Sequence, residues 1–186
     1  QFPTNIHDCD GWLLTGSRHG AYEDRAFIPP LETFIRQAYA AHVPMVGICF
    51  GHQLVAQALG GRTGKSPKGW GVGLHSYRFN TLPAWHDQGS EQFEILVSHQ
   101  DQVVENATGA EVLASSEFCE NAVCQVGDNI LTFQGHPEFV TDYSREIMGF
   151  RREMIGEDVY TEGMASLEGR PQRERVARWI LNFLAQ

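Results

Sequence analysis

The chain has 186 residues, 42% hydrophobic and 20% charged, enough for one full core and short for two domains. No apolar run approaches the ~20 residues of a membrane-spanning helix, so no membrane partner is expected. A net charge of -9 argues against a nucleic-acid surface, which needs clustered Lys and Arg.

Four cysteines, Cys9, Cys49, Cys119 and Cys124, show neither zinc-type Cys-x-x-Cys spacing nor a disulfide framework. With no signal peptide visible, a reducing cytoplasm is the expected location. His7, Cys9 and Asp10 can ligate metals by type but lack a second cluster, so no metal is expected.

Asp10-Gly-Trp-Leu-Leu-Thr-Gly-Ser17 reads as a core strand followed by a loop, Arg18 to Asp24. A backbone N–H at Gly16 or Ser17 has two equal readings from this segment alone, an oxyanion donor or an ordinary strand-to-helix turn. Pro29-Pro30 then opens a helix whose Leu31, Phe34, Ile35 and Tyr39 share one face. Val43 to Ile48 is a short apolar strand, and the strand-helix-strand order implies a right-handed parallel unit.

That strand runs into Gly47-Ile-Cys49-Phe-Gly51 and then a helical pattern ending at Gly60-Gly61. Strand, Gly-x-Cys-x-Gly, helix is the thiol form of the nucleophile elbow: a crowded turn lifts the sulfur above a helix amino terminus. A lone cysteine is usually a buried core residue. Two flanking glycines at a strand-to-helix junction make the nucleophile the better reading of Cys49. His52 reads as packing at the helix start.

The glycines from Gly60 to Gly73 fit neither a phosphate loop nor a dinucleotide fingerprint. Gly69 to Phe79 reads as an antiparallel strand beside the main sheet, and Thr81 to Glu91 as a polar surface loop. Phe93 to Asp101 is a strand ending in polar groups. Glu111 to Ser116 and Ala122 to Phe133 give further short strands, with a hairpin turn at Gly127-Asp-Asn129.

Ile130 to Phe133 ends in Gln134-Gly-His-Pro-Glu138. A cysteine nucleophile needs a base, and the base needs a group that fixes its tautomer; His136 and Glu138 supply both types. His99 is a competing base and is assigned a supporting role, while Cys119 and Cys124 read as structural. Thr141 to Met154 and Arg170 to Ala185 read as helices, the last one amphipathic against the sheet. Ile155 to Gly169 reads equally as lid, partner surface or connector.

Gly47-Ile-Cys-Phe-Gly-His-Gln53 together with Gln134-Gly-His-Pro-Glu138 closely resembles the class I, triad-type glutamine amidotransferases. The Ser98-His-Gln-Asp101 wording is nearest to GMP synthase amidotransferase domains and stand-alone γ-glutamyl peptidases. The resemblance implies an α/β fold, a mainly parallel sheet flanked by helices in flavodoxin-like layering, with a small antiparallel extension. It implies hydrolysis of a γ-glutamyl amide through a Cys49 thioester, with His136 as base and Glu138 as orienter. Phe50, Gly16 and Ser17 are implied as oxyanion donors, and Gln53, Ser98, Gln100 and Asp101 as substrate contacts. No metal or organic cofactor is implied for this step.

The substrate implied is a small molecule, glutamine or another γ-glutamyl amide, with a separate synthetase subunit as the partner of an ammonia-delivering form. A non-catalytic relative or a DJ-1-like thiol protein is the lesser alternative. The family carries a strand and helix before the segment matching Asp10 to Leu14, and Gln1 to Asp8 lacks an initiator methionine. Residues 1–186 are therefore expected to form a single amidotransferase-like domain without its first β-α unit.

Overall fold

The computed structural model of the chain describes Pro3 and residues 5–186; Gln1, Phe2 and Thr4 of the opening stretch lie outside the described residues. In chain order the elements are β1 (Trp12–Leu14), α1 (Ile28–Ala40), β2 (Met45–Ile48), α2 (Phe50–Ala58), β3 (Arg62–Lys65), β4 (Gly71–Phe79) and β5 (Gln92–His99). Then follow β6 (Asp101–Glu105), β7 (Ala110–Ser115), β8 (Val123–Val126), β9 (Ile130–Phe133), α3 (Thr141–Phe150), α4 (Arg152–Ile155), α5 (Glu157–Ser166) and α6 (Arg173–Leu184).

Seven strands form one sheet in the order β1-β2-β9-β8-β7-β4-β5, and β3 pairs with β6 in a second, two-stranded sheet. Alternation along the strands sends neighbours to opposite faces. Met45 and Ile130 pack with Phe34, Ile35 and Leu54 of α1 and α2. Val46, Ile48, Leu131 and Phe133 pack with Val176, Trp179 and Phe183 of α6. Those three α6 residues follow an i, i+3, i+7 spacing, which gives the helix its buried stripe. Both faces of the sheet are thus covered, as expected for an α/β layering.

The expected mainly parallel sheet is corrected in proportion. Only β1-β2 and β2-β9 are parallel, whereas β9-β8, β8-β7, β7-β4 and β4-β5 are all antiparallel. The cause is connection length: only strands joined through a crossover run parallel, and hairpins such as Val126 to Ile130 reverse the chain. Gly127 takes the positive φ of 60° in that turn.

Three further expectations change. The stretch around β1 is an edge strand rather than a core strand, and Leu13 is 59% exposed. The loop after β4 is not all surface: Trp85 and His86 are buried, with His86 stacked 4.9 Å from the Trp179 ring. The undecided stretch after Ile155 is α5, seated on β4 where Gly163 lies against Val72.

Candidate active site

Three parallel strands, β1, β2 and β9, end side by side, and each leads into one piece of the site. The close of β2 is tied to β9 by Cys49 N–H donating to the Phe133 carbonyl at 2.8 Å. Cys49 then adopts φ 52° and ψ -101°, a backbone region that non-glycine residues rarely hold and that concentrates at functional sites. The flanking glycines are required by contact. A β-carbon on Gly47 would lie 2.7 Å from the Gly51 carbonyl carbon, and one on Gly51 would collide with Leu14.

In α2 the first intrahelical bond runs from Gln53 N–H to the Cys49 carbonyl at 3.0 Å. The helix therefore makes no use of the Phe50 N–H, which sits next to the sulfur-bearing residue at the positive end of the dipole. From the end of β1, Gly16 and Ser17 reach the same place. A β-carbon on Gly16 would be 3.0 Å from His136 Cε1 and 3.9 Å from Cys49 Cβ, so the three residues meet there. Ser17 Oγ accepts the His19 N–H at 3.1 Å.

His136 follows β9 and is pinned to β5 by its N–H, which donates to the Leu96 carbonyl at 2.8 Å. Its Nδ1 lies 2.6 Å from Glu138 Oε1, and Phe139 stacks on the ring at 3.9 Å and 11°. Burial alone would depress the imidazole; the Cys49 sulfur and the Glu138 carboxylate outweigh it and raise the pKa to about 9. Arg173 of α6 donates to the Pro137 and Glu138 carbonyls at 3.3 Å, fixing the loop while the Glu138 side chain stays half exposed.

The four expected substrate contacts, Gln53, Ser98, Gln100 and Asp101, all line a cavity of about 340 Å³ that also reaches Cys49. Asp101 accepts the Tyr22 hydroxyl at 3.1 Å. Gln53 is buried, and its amide nitrogen is spent inside the protein, 2.8 Å from the Asp101 carbonyl and 3.1 Å from Gln134 Oε1. His99 is held neutral: burial depresses it to about 3, and its Nδ1 faces the Asp101 carbonyl at 3.1 Å. His52 is likewise buried, depressed to about 4, and bonded to Thr132 Oγ1 at 2.8 Å, which fits packing. Burial pushes the thiols of Cys119 and Cys124 up to about 12, a mark of inert structural cysteines.

Three residues were not foreseen. Gln134 is fully buried, and its Nε2 donates toward Cys49 Sγ at 3.7 Å. Phe139 clamps the imidazole plane. Both adjoin the His-Pro-Glu stretch, so proximity in sequence was the available signal. Arg151, which follows α3, donates to Ser98 Oγ at 2.9 Å and carries no motif at all. Among the described residues no group of three or more His, Cys, Asp or Glu side chains is placed to hold a metal ion.

A second and larger cavity, about 650 Å³, also reaches Cys49 and is walled by Leu13, Ile48, Phe139, Tyr143, Ile147 and Ile180. The two cavities share Ser17, Arg18, Cys49, Ser98 and Arg151. A nucleophile-type thiol thus sits at the neck between a polar and an apolar chamber, beside an imidazole-carboxylate pair.

Comparison with known proteins places the chain in a family. Residues 4–152 match the family model described as glutamine amidotransferase class-I. A glutamine amidotransferase-like protein of Schizosaccharomyces pombe is 35% identical over 183 residues, covering 94% of this chain and 71% of that protein. Gamma-glutamyl peptidase 3 of Arabidopsis thaliana is 33% identical over 198 residues, covering 99% of this chain and 78% of its own length. The crystal structure of a glutamine amidotransferase from Methylobacillus flagellatus superimposes with a TM-score of 0.78 at 26% identity, covering 98% of this chain and 80% of that one. With that family model matched over most of its length and a 35% identical relative covering 94% of it, the chain belongs to the class I glutamine amidotransferases.

Proposed function

We propose that the chain is a cysteine amidohydrolase that cleaves γ-glutamyl amides through a covalent thioester. The observation that carries this reading is Cys49, held at positive φ between β2 and α2, next to a His136–Glu138 pair at the end of the adjoining parallel strand. Cys49 Sγ attacks the γ-carbonyl carbon, and the oxyanion forms near the Phe50 N–H and the Gly16-Ser17 loop. His136, protonated by the sulfur and steadied by Glu138, gives its proton to the departing nitrogen as the C–N bond breaks. Water then attacks the thioester, His136 takes its proton, the C–S bond breaks, and glutamate leaves while the thiol is restored.

The amine product distinguishes two forms of this chemistry. An ammonia-delivering form takes glutamine and hands ammonia to a separate synthetase subunit. A hydrolytic form takes a γ-glutamyl peptide, as the name of the Arabidopsis relative spanning almost all of this chain describes for that protein. The apolar chamber of about 650 Å³ beside Cys49 favours the peptide, since ammonia needs no such room. Both forms share the acyl-enzyme step.

The test is glutamate release from glutamine and from γ-glutamyl peptides, with Cys49→Ala as the control. Release that falls by on the order of 10⁴-fold in the variant is the expected outcome. A Cys49→Ala protein as active as the wild type would overturn the mechanism.

A further inference from the structure

Arg151 stands where the two chambers meet, and its charge is unanswered. It lines both cavities together with Cys49. Two contacts immobilise the guanidinium: Nη1 donates to Ser98 Oγ at 2.9 Å, and the group lies 5.9 Å from the Trp70 ring centre. A hydroxyl uses one of its five N–H donors and neutralises nothing. Its neighbours differ. Arg145 pairs with Asp142 and Arg152 with Glu157, both at exposed positions, whereas among the described residues no carboxylate lies within 4.0 Å of half-buried Arg151. A fixed, partly desolvated cation beside a nucleophile-type thiol, in a chain of net charge -9, is a prepared anion site.

The position of that site along the substrate follows from chain lengths. In a γ-glutamyl amide three carbons separate the acyl carbon from the α-carboxylate of the glutamyl head. That head belongs in the polar chamber, where Glu23, Asp101 and Lys65 offer partners for an ammonium and a carboxylate. On the amine side of a γ-glutamyl amino acid, a single carbon separates the scissile nitrogen from the next carboxyl group. A carboxylate there stays at the neck, where Arg151 sits, and the side chain of that residue points into the apolar chamber.

We propose that Arg151, braced by Ser98, is a specificity residue that binds the carboxylate of the amine-side residue. The preferred substrate class is then a γ-glutamyl amino acid with a free carboxylate and an apolar side chain. This rests on the γ-glutamyl reading above and goes beyond it, because glutamine leaves Arg151 without a partner. Arg18 lines the same neck but is exposed and, among the described residues, bonded only to His19 at 3.5 Å, so it lacks the bracing that makes Arg151 selective.

The experiment measures binding to the full chain carrying Cys49→Ala, which prevents turnover. The probes are γ-glutamyl-leucine and γ-glutamyl-3-methylbutylamide, which differ only by the carboxylate. The peptide is expected to bind roughly ten- to hundredfold more tightly, the size of a hydrogen bond to a charged group. That ratio collapses towards one when Arg151→Gln is added, and Arg151→Lys retains part of it. A ratio is unaffected by any unfolded fraction of a variant. Equal binding of the two probes, or a ratio unchanged by Arg151→Gln, overturns the assignment and leaves γ-glutamyl recognition standing. Failure of both probes to bind overturns the γ-glutamyl reading and the Arg151 assignment with it.

Discussion

At the scale of single residues, the proposed reaction turns on the 2.6 Å contact between His136 Nδ1 and Glu138. In that reaction His136, its imidazole raised to about 9, would supply the leaving amine's proton at neutral pH and lose it as pH rises through that value. Activity is therefore expected to fall on the alkaline side near pH 9. In Glu138→Gln the carboxylate no longer holds the proton on the ring, so the alkaline limb should move to lower pH, with a loss of tenfold or more in rate. A pH-rate profile of the two proteins checks both the sign and the shift. Gly16→Ala makes a second test, because its β-carbon would press on the imidazole at 3.0 Å; activity should drop while the thermal midpoint changes little. Cys49, His136 and Glu138 were legible because each stands in a local pattern that imposes its own geometry. Gln134 and Arg151 were not: their partners, Cys49 and Ser98, lie 85 and 53 positions away in the chain.

At the scale of elements, the strand edges explain why α5 lies where it does. β5 covers one side of β4 along its length, but on the other side β7 reaches only Arg78 and Phe79. The open half of that edge is closed by α5: Ser166 Oγ accepts the Leu74 N–H at 2.8 Å and donates to the Gly163 carbonyl at 2.6 Å. Gly163 permits the approach, since a β-carbon there would lie 2.7 Å from Val72 Cγ2. Gly163→Ala should cost about 1–3 kcal/mol by overpacking and Ser166→Ala about 1 kcal/mol, read from urea midpoints. Hydrogen exchange should then show α5 and the first half of β4 losing protection together, whereas unaltered protection would mean that α5 is held by other contacts. None of this was readable in advance. Ile155 to Gly169 carries no strong periodicity, and the reason for its position is a gap in a sheet whose strand order the local pattern does not reveal. The elbow helix and α6 were readable for the opposite reason, since their apolar spacing and glycine stops are local properties.

For the whole molecule, the histidines set the pH range of stability. His52 and His99 are buried and neutral, with folded values depressed to about 4 and about 3 from the ordinary 6.5, and burial depresses His75 as well. Below pH 6.5 the unfolded chain binds protons that the folded chain refuses, so stability falls with falling pH through the interval down to those values. Each such histidine contributes a slope of about 1.4 kcal/mol per pH unit. His136 acts in the other direction: its raised value gives stabilisation that is complete below 6.5 and is lost as pH rises through about 9. The thermal midpoint should therefore be highest near neutral pH and decline on both sides, more steeply on the acid side. His52→Gln removes one of the deeply buried imidazoles and should flatten the acid limb, even if the lost bond to Thr132 lowers the maximum. Midpoints recorded from pH 4 to 10 for both proteins provide the check. An acid limb of equal slope in the two would mean that His52 gains its proton in the folded state as readily as in the unfolded one.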